Sequence, residues 1–146
     1  MFKKPLYFLI FLLVTVHGTT FSEEKITVYI KVEGFKNNIG LCYLLLFKNR
    51  NGFPDSIDHS NIKLSKSVEQ KSVEFKVSLI PGTYAVSILH DENLNEKLDK
   101  TWYGKPVEGI GLSNNPTISF GPPGFKESTV SLREDKSTLK IIMKYF

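Results

Sequence analysis

Side chains that carry oxygen recur at every second position between residues 91 and 99. With one backbone carbonyl, that of Lys97, the run matches positions 1, 3, 5, 7 and 9 of the EF-hand calcium loop: Asp91, Asn93, Asn95, Lys97 and Asp99. Position 12 of such a loop is Trp102, which cannot bind a cation, and position 6 is Glu96 where EF-hands have Gly. Hard oxygen donors favour calcium over a transition metal. Two interpretations stay open: a calcium site, and a turn whose Asp and Asn side chains bind their own backbone.

Acid catalysis is the second chemistry that this region suggests. Glu108, with Asp91 or Asp99, has the residue types of the carboxylate pair that glycoside hydrolases use. This gives an alternative hypothesis of an envelope hydrolase that acts on carbohydrate. The sequence lacks the nucleophile elbow of serine hydrolases. His90 falls on the same face of its strand as Ile88. We therefore interpret His90 as a strand-end histidine bonded to a loop carbonyl or carboxylate.

The segments that must position these residues have the pattern of β-strands. Apolar and polar residues alternate over 26–33 and 73–79, which predicts half-buried strands, and Tyr84, Val86 and Ile88 share one face of a further strand. The run 40–47 is apolar at consecutive positions, as in a central strand, and 128–134 and 137–146 complete the set. Gly82-Thr83-Tyr84 at the start of a strand resembles a tyrosine corner, in which the hydroxyl binds nearby backbone.

About seven short strands without a convincing amphipathic helix predict an all-β fold. The expected architecture is a single antiparallel two-sheet β-sandwich, immunoglobulin-like or transthyretin-like, with one long structured loop. The loop is placed at 90–125 because 102–125 is rich in Gly and Pro. Its aromatic residues either pin it to the sandwich or form a binding surface: Trp102, Tyr103, Phe120 and Phe125. The candidate binding residues of the loop are His90, Trp102, Tyr103, Glu108, Ser113, Asn114 and Asn115.

The first 22 residues have the layout of a secretory signal peptide. Lys3 and Lys4 precede an apolar run, 6–16, that is too short to span a bilayer and ends in small and polar residues. We expect a mature domain over 23–146, exported to the periplasm or secreted, without a membrane span after cleavage. The lone Cys42 lies in an apolar run and is interpreted as a buried small residue.

Charge argues against a nucleic-acid partner. The chain has 19 Lys and Arg residues and 15 Asp and Glu residues, and two of the lysines belong to the predicted signal segment. The rest are scattered, without the basic patch that nucleic-acid binding requires.

Several motifs along the chain resemble the DUF2141 family of exported bacterial proteins. They are Gly-x-Tyr-Ala at 82–85, His-Asp-x-Asn-x-Asn followed by Asp99 at 90–99, Gly-x-Pro-x-Glu-Gly-x-Gly at 104–111, Ser-Asn-Asn at 113–115 and a Pro-Pro-x-Phe segment at 122–125. The resemblance implies export and a β-sandwich but no reaction. One departure is Glu96, where the family tends to have Gly.

Together these observations favour an exported, non-catalytic β-sandwich module that binds an unknown envelope or extracellular ligand, with its loop at 90–125 as the binding surface and calcium as a candidate brace. A purely structural envelope protein is the remaining interpretation.

Overall fold

The computed structural model describes residues 23–117 and 124–146. This part of the chain contains eight strands and two single turns of 3₁₀ helix, at Ile57–His59 and Lys126–Ser128. The predicted signal segment lies outside the described residues, and so do Pro122 and Pro123 of the Pro-Pro-x-Phe motif. The strands are β1 (Ile26–Glu33), β2 (Leu41–Phe47), β3 (Ile62–Ser67), β4 (Ser72–Leu79), β5 (Gly82–Asp91), β6 (Gly109–Leu112), β7 (Thr129–Leu132) and β8 (Ser137–Ile142).

The strands form two sheets, which confirms the all-β, two-sheet prediction. The smaller sheet has the order β4-β1-β8, and the larger has the order β3-β2-β5-β6 with β7 also paired to β5. β6 pairs with Ser87–His90 of β5, and β7 pairs with Gly82–Ala85 of the same strand. One pairing departs from the expected antiparallel arrangement, because β1 and β8 run parallel.

The main core lies between the two sheets and follows from period-two alternation. Val28, Ile30 and Val32 of β1 are fully buried, and alternate residues of β4 are buried in the same way. They pack in one cluster with inward residues of β2 and β5, such as Leu44 and Ile88. The predicted inward faces of these strands are thus confirmed.

A second apolar cluster covers the outer face of the larger sheet. It contains Tyr43, Leu45 and Phe47 of β2, which explains why β2 is apolar on both faces. Leu98 and Phe125 pack into this cluster from the following loops. Cys42 is buried, as expected, and burial raises the pKa of its thiol.

Two strand assignments differ from the sequence prediction. β3 was not predicted, because five of its six residues are exposed and it shows no apolar alternation. The assumption of one continuous loop over 90–125 was wrong, because Gly109–Leu112 forms a fully buried strand within it. The glycines that suggested a loop instead allow side chains from the end of the chain to pack directly on β6.

Backbone hydrogen bonds between β6 and the segment after β8 join the two sheets at one edge. The N–H of Ile110 donates to the carbonyl of Lys144, and the N–H of Lys144 donates back to Ile110. A methyl group on Gly109 would lie 2.6 Å from Cζ of Tyr145, and one on Gly111 would lie 2.8 Å from Cγ2 of Ile141. The edge can therefore close only because these two positions lack a side chain.

The tyrosine corner is present. The hydroxyl of Tyr84 donates a 2.7 Å hydrogen bond to the carbonyl of Ile80, just before the turn that leads into β5. The predicted Gly-x-Tyr geometry is therefore confirmed.

The Gly109–Tyr145 packing gives a prediction about stability. Gly109→Ala should lower the free energy of unfolding by about 1–3 kcal/mol, because the new methyl group overpacks against the ring. In a Tyr145→Ala background the same change should cost less than about 0.5 kcal/mol. Urea denaturation of the four proteins of the double-mutant cycle measures both values. An equal cost in both backgrounds would show that the ring is not the cause.

Candidate functional site

The candidate residues meet at one end of the sandwich. The end of β5 and the start of β2 are in register there, with Asp91 opposite Leu41, and β6 begins opposite His90. The connection from β5 to β6, called the 91–108 loop below, therefore lies beside the 34–40 connection between β1 and β2. The side chain of Asn37 donates a 2.8 Å hydrogen bond to Glu92 and joins the two connections.

Asp91 organises the first turn of the loop. Its carboxylate is 1% exposed and accepts hydrogen bonds from the backbone N–H groups of Asn95, at 3.1 Å, and Glu96, at 2.9 Å. The turn requires a left-handed backbone at Leu94 and Glu96, with φ of 63° and 60°. Glu96 thus adopts the conformation that Gly adopts freely, and the loop bends without the glycine.

Asp99 is the point on which the polar side chains of the turn converge. The side-chain amide of Asn93 lies 2.7 Å from its carboxylate, and that of Asn95 lies 3.1 Å from it. The amide oxygens of the same two residues accept from backbone N–H groups two residues on. Three of the candidate calcium ligands are therefore adjacent, and the hydrogen bonds are those of the alternative interpretation, a self-bonded turn.

Glu108 closes the base of the loop. Its carboxylate is buried, and its two oxygens accept from the N–H groups of Glu92, at 2.9 Å, and Asp99, at 3.1 Å. Of the carboxylates of the hypothetical hydrolase, those of Glu108 and Asp91 are thus bound by backbone N–H groups and that of Asp99 by side-chain amides. A polar depression of about 500 Å³ nearby is lined by other groups, including Asp55, Asp58 and Glu96. The geometry of the described residues does not favour the hydrolase.

His90 is fully buried and holds three segments together. Its Nε2 lies 2.7 Å from the carbonyl of Ile39, to which it donates, and its Nδ1 lies 2.7 Å from the hydroxyl of Tyr145. Burial raises the pKa of Tyr145 to about 12, so the hydroxyl keeps its proton. The ring of Phe35 packs edge-on against the imidazole. The expected bond from His90 to a loop carbonyl is confirmed.

Ser113, Asn114 and Asn115 tie the end of β6 to neighbouring strands. The hydroxyl of Ser113 accepts from the N–H of Val86 and donates to the carbonyl of Ser128. The side-chain amide of Asn114 donates to the carbonyls of Glu127 and Thr129. The side chain of Asn115 donates to the carbonyl of Lys140 and accepts from the N–H of Ile142, both in β8. The hydrogen-bonding groups of this motif thus contact the protein itself.

Trp102 and Tyr103 are the aromatic candidate residues that face solvent. They lie in a hairpin, called the 100–106 hairpin below, in which Lys100 bridges to Pro106 and the N–H of Thr101 donates to the carbonyl of Lys105. The Trp102 side chain is 95% exposed and that of Tyr103 is 62% exposed. Their rings meet edge-on at 5.3 Å. Of the aromatic residues with two possible roles, Phe125 packs on the larger sheet, Trp102 and Tyr103 are exposed, and Phe120 lies outside the described residues.

An ion pair strengthens the junction between the two connections. Lys36 lies 2.7 Å from the carboxylate of Glu92. Burial opposes ionisation of Glu92, but the hydrogen bonds from Lys36 and Asn37 outweigh it and lower the pKa of this carboxyl. The 34–40 connection is therefore a second support for the base of the loop.

The described residues contain neither a cluster of metal-ligand side chains nor a helix that could cross a membrane. Across 23–117 and 124–146, no three His, Cys, Asp or Glu side chains group as metal ligands, so calcium here would depend on Asn and carbonyl oxygens. No helix in this part of the chain has the length and apolar character needed to cross a bilayer.

Comparison with known proteins identifies one relationship. The model of a family described as "Uncharacterized protein conserved in bacteria (DUF2141)" matches residues 30–140. A search of curated proteins finds no match, and neither does a search of solved structures.

The Glu108 geometry gives a prediction that separates structural from catalytic carboxylates. Glu108→Gln should lower the free energy of unfolding by about 1–3 kcal/mol, because the Gln amide cannot accept both backbone N–H groups. Glu96→Gln is the matched control, since its ion pair with Lys63 is exposed and the change should stay within about 0.5 kcal/mol. Thermal and urea denaturation measure both variants. Unchanged stability of Glu108→Gln would contradict a structural role.

Proposed function

The chain belongs to the DUF2141 family, and from that premise we propose that it is an exported, non-catalytic binding module that presents the 100–106 hairpin to an envelope or extracellular ligand. The observation that carries the proposal is the exposure of Trp102 and Tyr103 on a hairpin with a fixed base. Export is supported by the signal-peptide pattern of residues 1–22.

The hairpin is held at its base and free at its tip. The N–H of Val107 donates to the carbonyl of Asp99, and the carboxylate of the adjacent Glu108 accepts from the N–H of Asp99. A methyl group built on Gly104 at the tip would have no neighbour within 4 Å. A tip ordered in this way loses little conformational entropy on binding, which favours recognition by exposed aromatic side chains.

The other candidate residues support this proposal by their bonding. Asp91, His90, Glu108 and Ser113 are buried and bonded within the protein. Buried carboxylates that accept backbone N–H groups fix a loop rather than exchange protons with a substrate. We therefore assign these residues to the support of the hairpin.

Calcium is proposed as an additional brace of the 91–108 loop. The left-handed turns at Leu94 and Glu96 bring the side chains of Asn93 and Asn95 next to Asp99. Their amide nitrogens contact the carboxylate in the present turn, and rotation of the two amides would turn their oxygens toward an ion. Each carboxylate oxygen of Asp91 has a second lone pair after it accepts one backbone N–H. Asn93, Asn95 and Asp99, with Asp91 and the carbonyl of Lys97, would hold the ion.

The calcium proposal predicts a thermal shift. A site with a dissociation constant of about 1 mM, as in extracellular modules, adds about 1.4 kcal/mol at 10 mM calcium. This corresponds to roughly 5 °C in melting temperature for a domain of this size. Asp99→Asn should remove most of the shift and Asp58→Asn, a change to an exposed acid outside the loop, should keep it. A flat response to calcium, relative to EDTA and to magnesium, would exclude the brace.

The binding-module proposal predicts dependence on the hairpin tip. The Trp102→Ala/Tyr103→Ala variant should lose at least tenfold in co-sedimentation with an isolated bacterial envelope fraction, since exposed aromatic anchors dominate such contacts. Leu64→Ala, which truncates an exposed apolar side chain on β3, is the matched control and should bind normally. Both variants should melt like the wild type. Equal binding of all three proteins would refute the proposed surface.

A further inference from the structure

The residues of the hairpin tip combine apolar surface with positive charge. Residues 100–107 include two lysines, Lys100 and Lys105, and no acidic residue. Trp102, Tyr103 and Val107 expose 95%, 62% and 55% of their surface. Trp and Tyr with a neighbouring Lys are the residues enriched where a protein meets the head-group region of a bilayer.

Residues 100–107 carry positive charge only, whereas the wider 91–108 loop has five acids and three lysines. Lys100 is paired with Asp55, whereas Lys97 and Lys105 make no ion pair among the residues that the structure describes. The acid that follows the tip, Glu108, is buried and bound to backbone N–H groups. Within the hairpin, Lys105 is thus available for an anionic partner, whereas Lys97 lines the depression with Asp58 and Glu96.

The shape of the tip favours a deformable surface over a rigid polymer. The planes of Trp102 and Tyr103 meet at 83°, so the rings form a wedge and not the flat platform on which a sugar chain stacks. The tip also projects away from the domain, since Gly104 has open space around it. A wedge of this kind can enter the interface of a lipid layer, where it needs no matching pocket.

Other exposed apolar residues lie at the same end of the sandwich. Of the seven large apolar side chains exposed in 23–117 and 124–146, five belong to the 34–40 connection and the 91–108 loop: Ile39, Leu94, Trp102, Tyr103 and Val107. The register of Leu41 with Asp91 places these two connections together. The apolar surface is therefore concentrated on the end that carries the hairpin.

We propose that the 100–106 hairpin docks on a lipid bilayer with anionic head groups, inserting Trp102 and Tyr103 into the interface while Lys105 faces the phosphates. This inference rests on the proposed binding function and names its ligand class. Attraction of a lysine to an anionic surface increases binding about fivefold for each residue. A single shallow wedge gives reversible binding, which is far weaker than that of a membrane-spanning helix.

The chain has a built-in probe for this proposal, because Trp102 is its only tryptophan. The protein beginning at Glu23, which contains all eight strands, is mixed with vesicles of phosphatidylcholine alone or with one quarter phosphatidylglycerol. The proposal predicts a blue shift of Trp emission, protection from acrylamide and quenching by brominated lipid, all with the anionic vesicles and all reduced by salt. Lys105→Glu should weaken binding at least fivefold, and Lys76→Glu, the same change on the smaller sheet, should leave it unchanged.

Three results would overturn the proposal: no spectral change with anionic vesicles, equal binding to both vesicle types, or equal effects of Lys105→Glu and Lys76→Glu. The envelope co-sedimentation assay separates this failure from failure of the proposed function. If the vesicles fail but envelope binding still requires Trp102 and Tyr103, the ligand is a protein or glycan and the binding module stands. Loss of both responses rejects both proposals.

Discussion

The carboxylate of Glu108 accepts hydrogen bonds from the backbone N–H groups of Glu92 and Asp99, and this contact fixes the base of the 91–108 loop. Because the carboxylate is buried, removal of either donor would leave a charged oxygen without a partner, which costs far more than loss of an exposed bond. The start of the loop and the start of its hairpin are thereby held at one point. That closure acts together with the contacts of Asp91 and of the 34–40 connection to position the residues between Glu92 and Val107.

Polar side chains serve the same purpose at the other strand ends, and those of Asp91 and Ser113 are buried. Asp91 receives two backbone N–H groups, and Ser113 links β5 to the segment before β7. Asn115 both donates to and accepts from the backbone of β8. A sandwich with short edge strands leaves many backbone groups unpaired, and these side chains satisfy them. Residue types that suggest catalysis or ligand binding thus act here as part of the hydrogen-bonded frame.

The sequence made some of these features predictable and concealed others for physical reasons. Alternation revealed β1, β4 and β5, because each has one face in the core, and the spacing of Asn93, Asn95 and Asp99 revealed a local turn. β6 was concealed because its glycines are typical of loops, and only the packing of Tyr145 on Gly109 and of Ile141 on Gly111 explains them. The partners of Glu108 and Asn115 are remote contacts that no local pattern encodes. Exposure of Trp102 was equally hidden, since an aromatic residue in a loop packs as readily as it projects.

The contrast between the base and the tip of the loop is therefore the main argument for function. Leaving large apolar side chains in water forgoes roughly 1.5–3 kcal/mol of burial each. Phe125 and Leu98 avoid that loss by packing on the larger sheet. Trp102 and Tyr103, a few residues from Leu98, stay exposed to solvent. The buried hydrogen bonds of Glu108 hold the backbone so that the hairpin cannot collapse onto the sheet to bury them. A loop that is ordered by buried polar contacts and still exposes its aromatic tip is what the proposed contact with a surface beyond the protein requires.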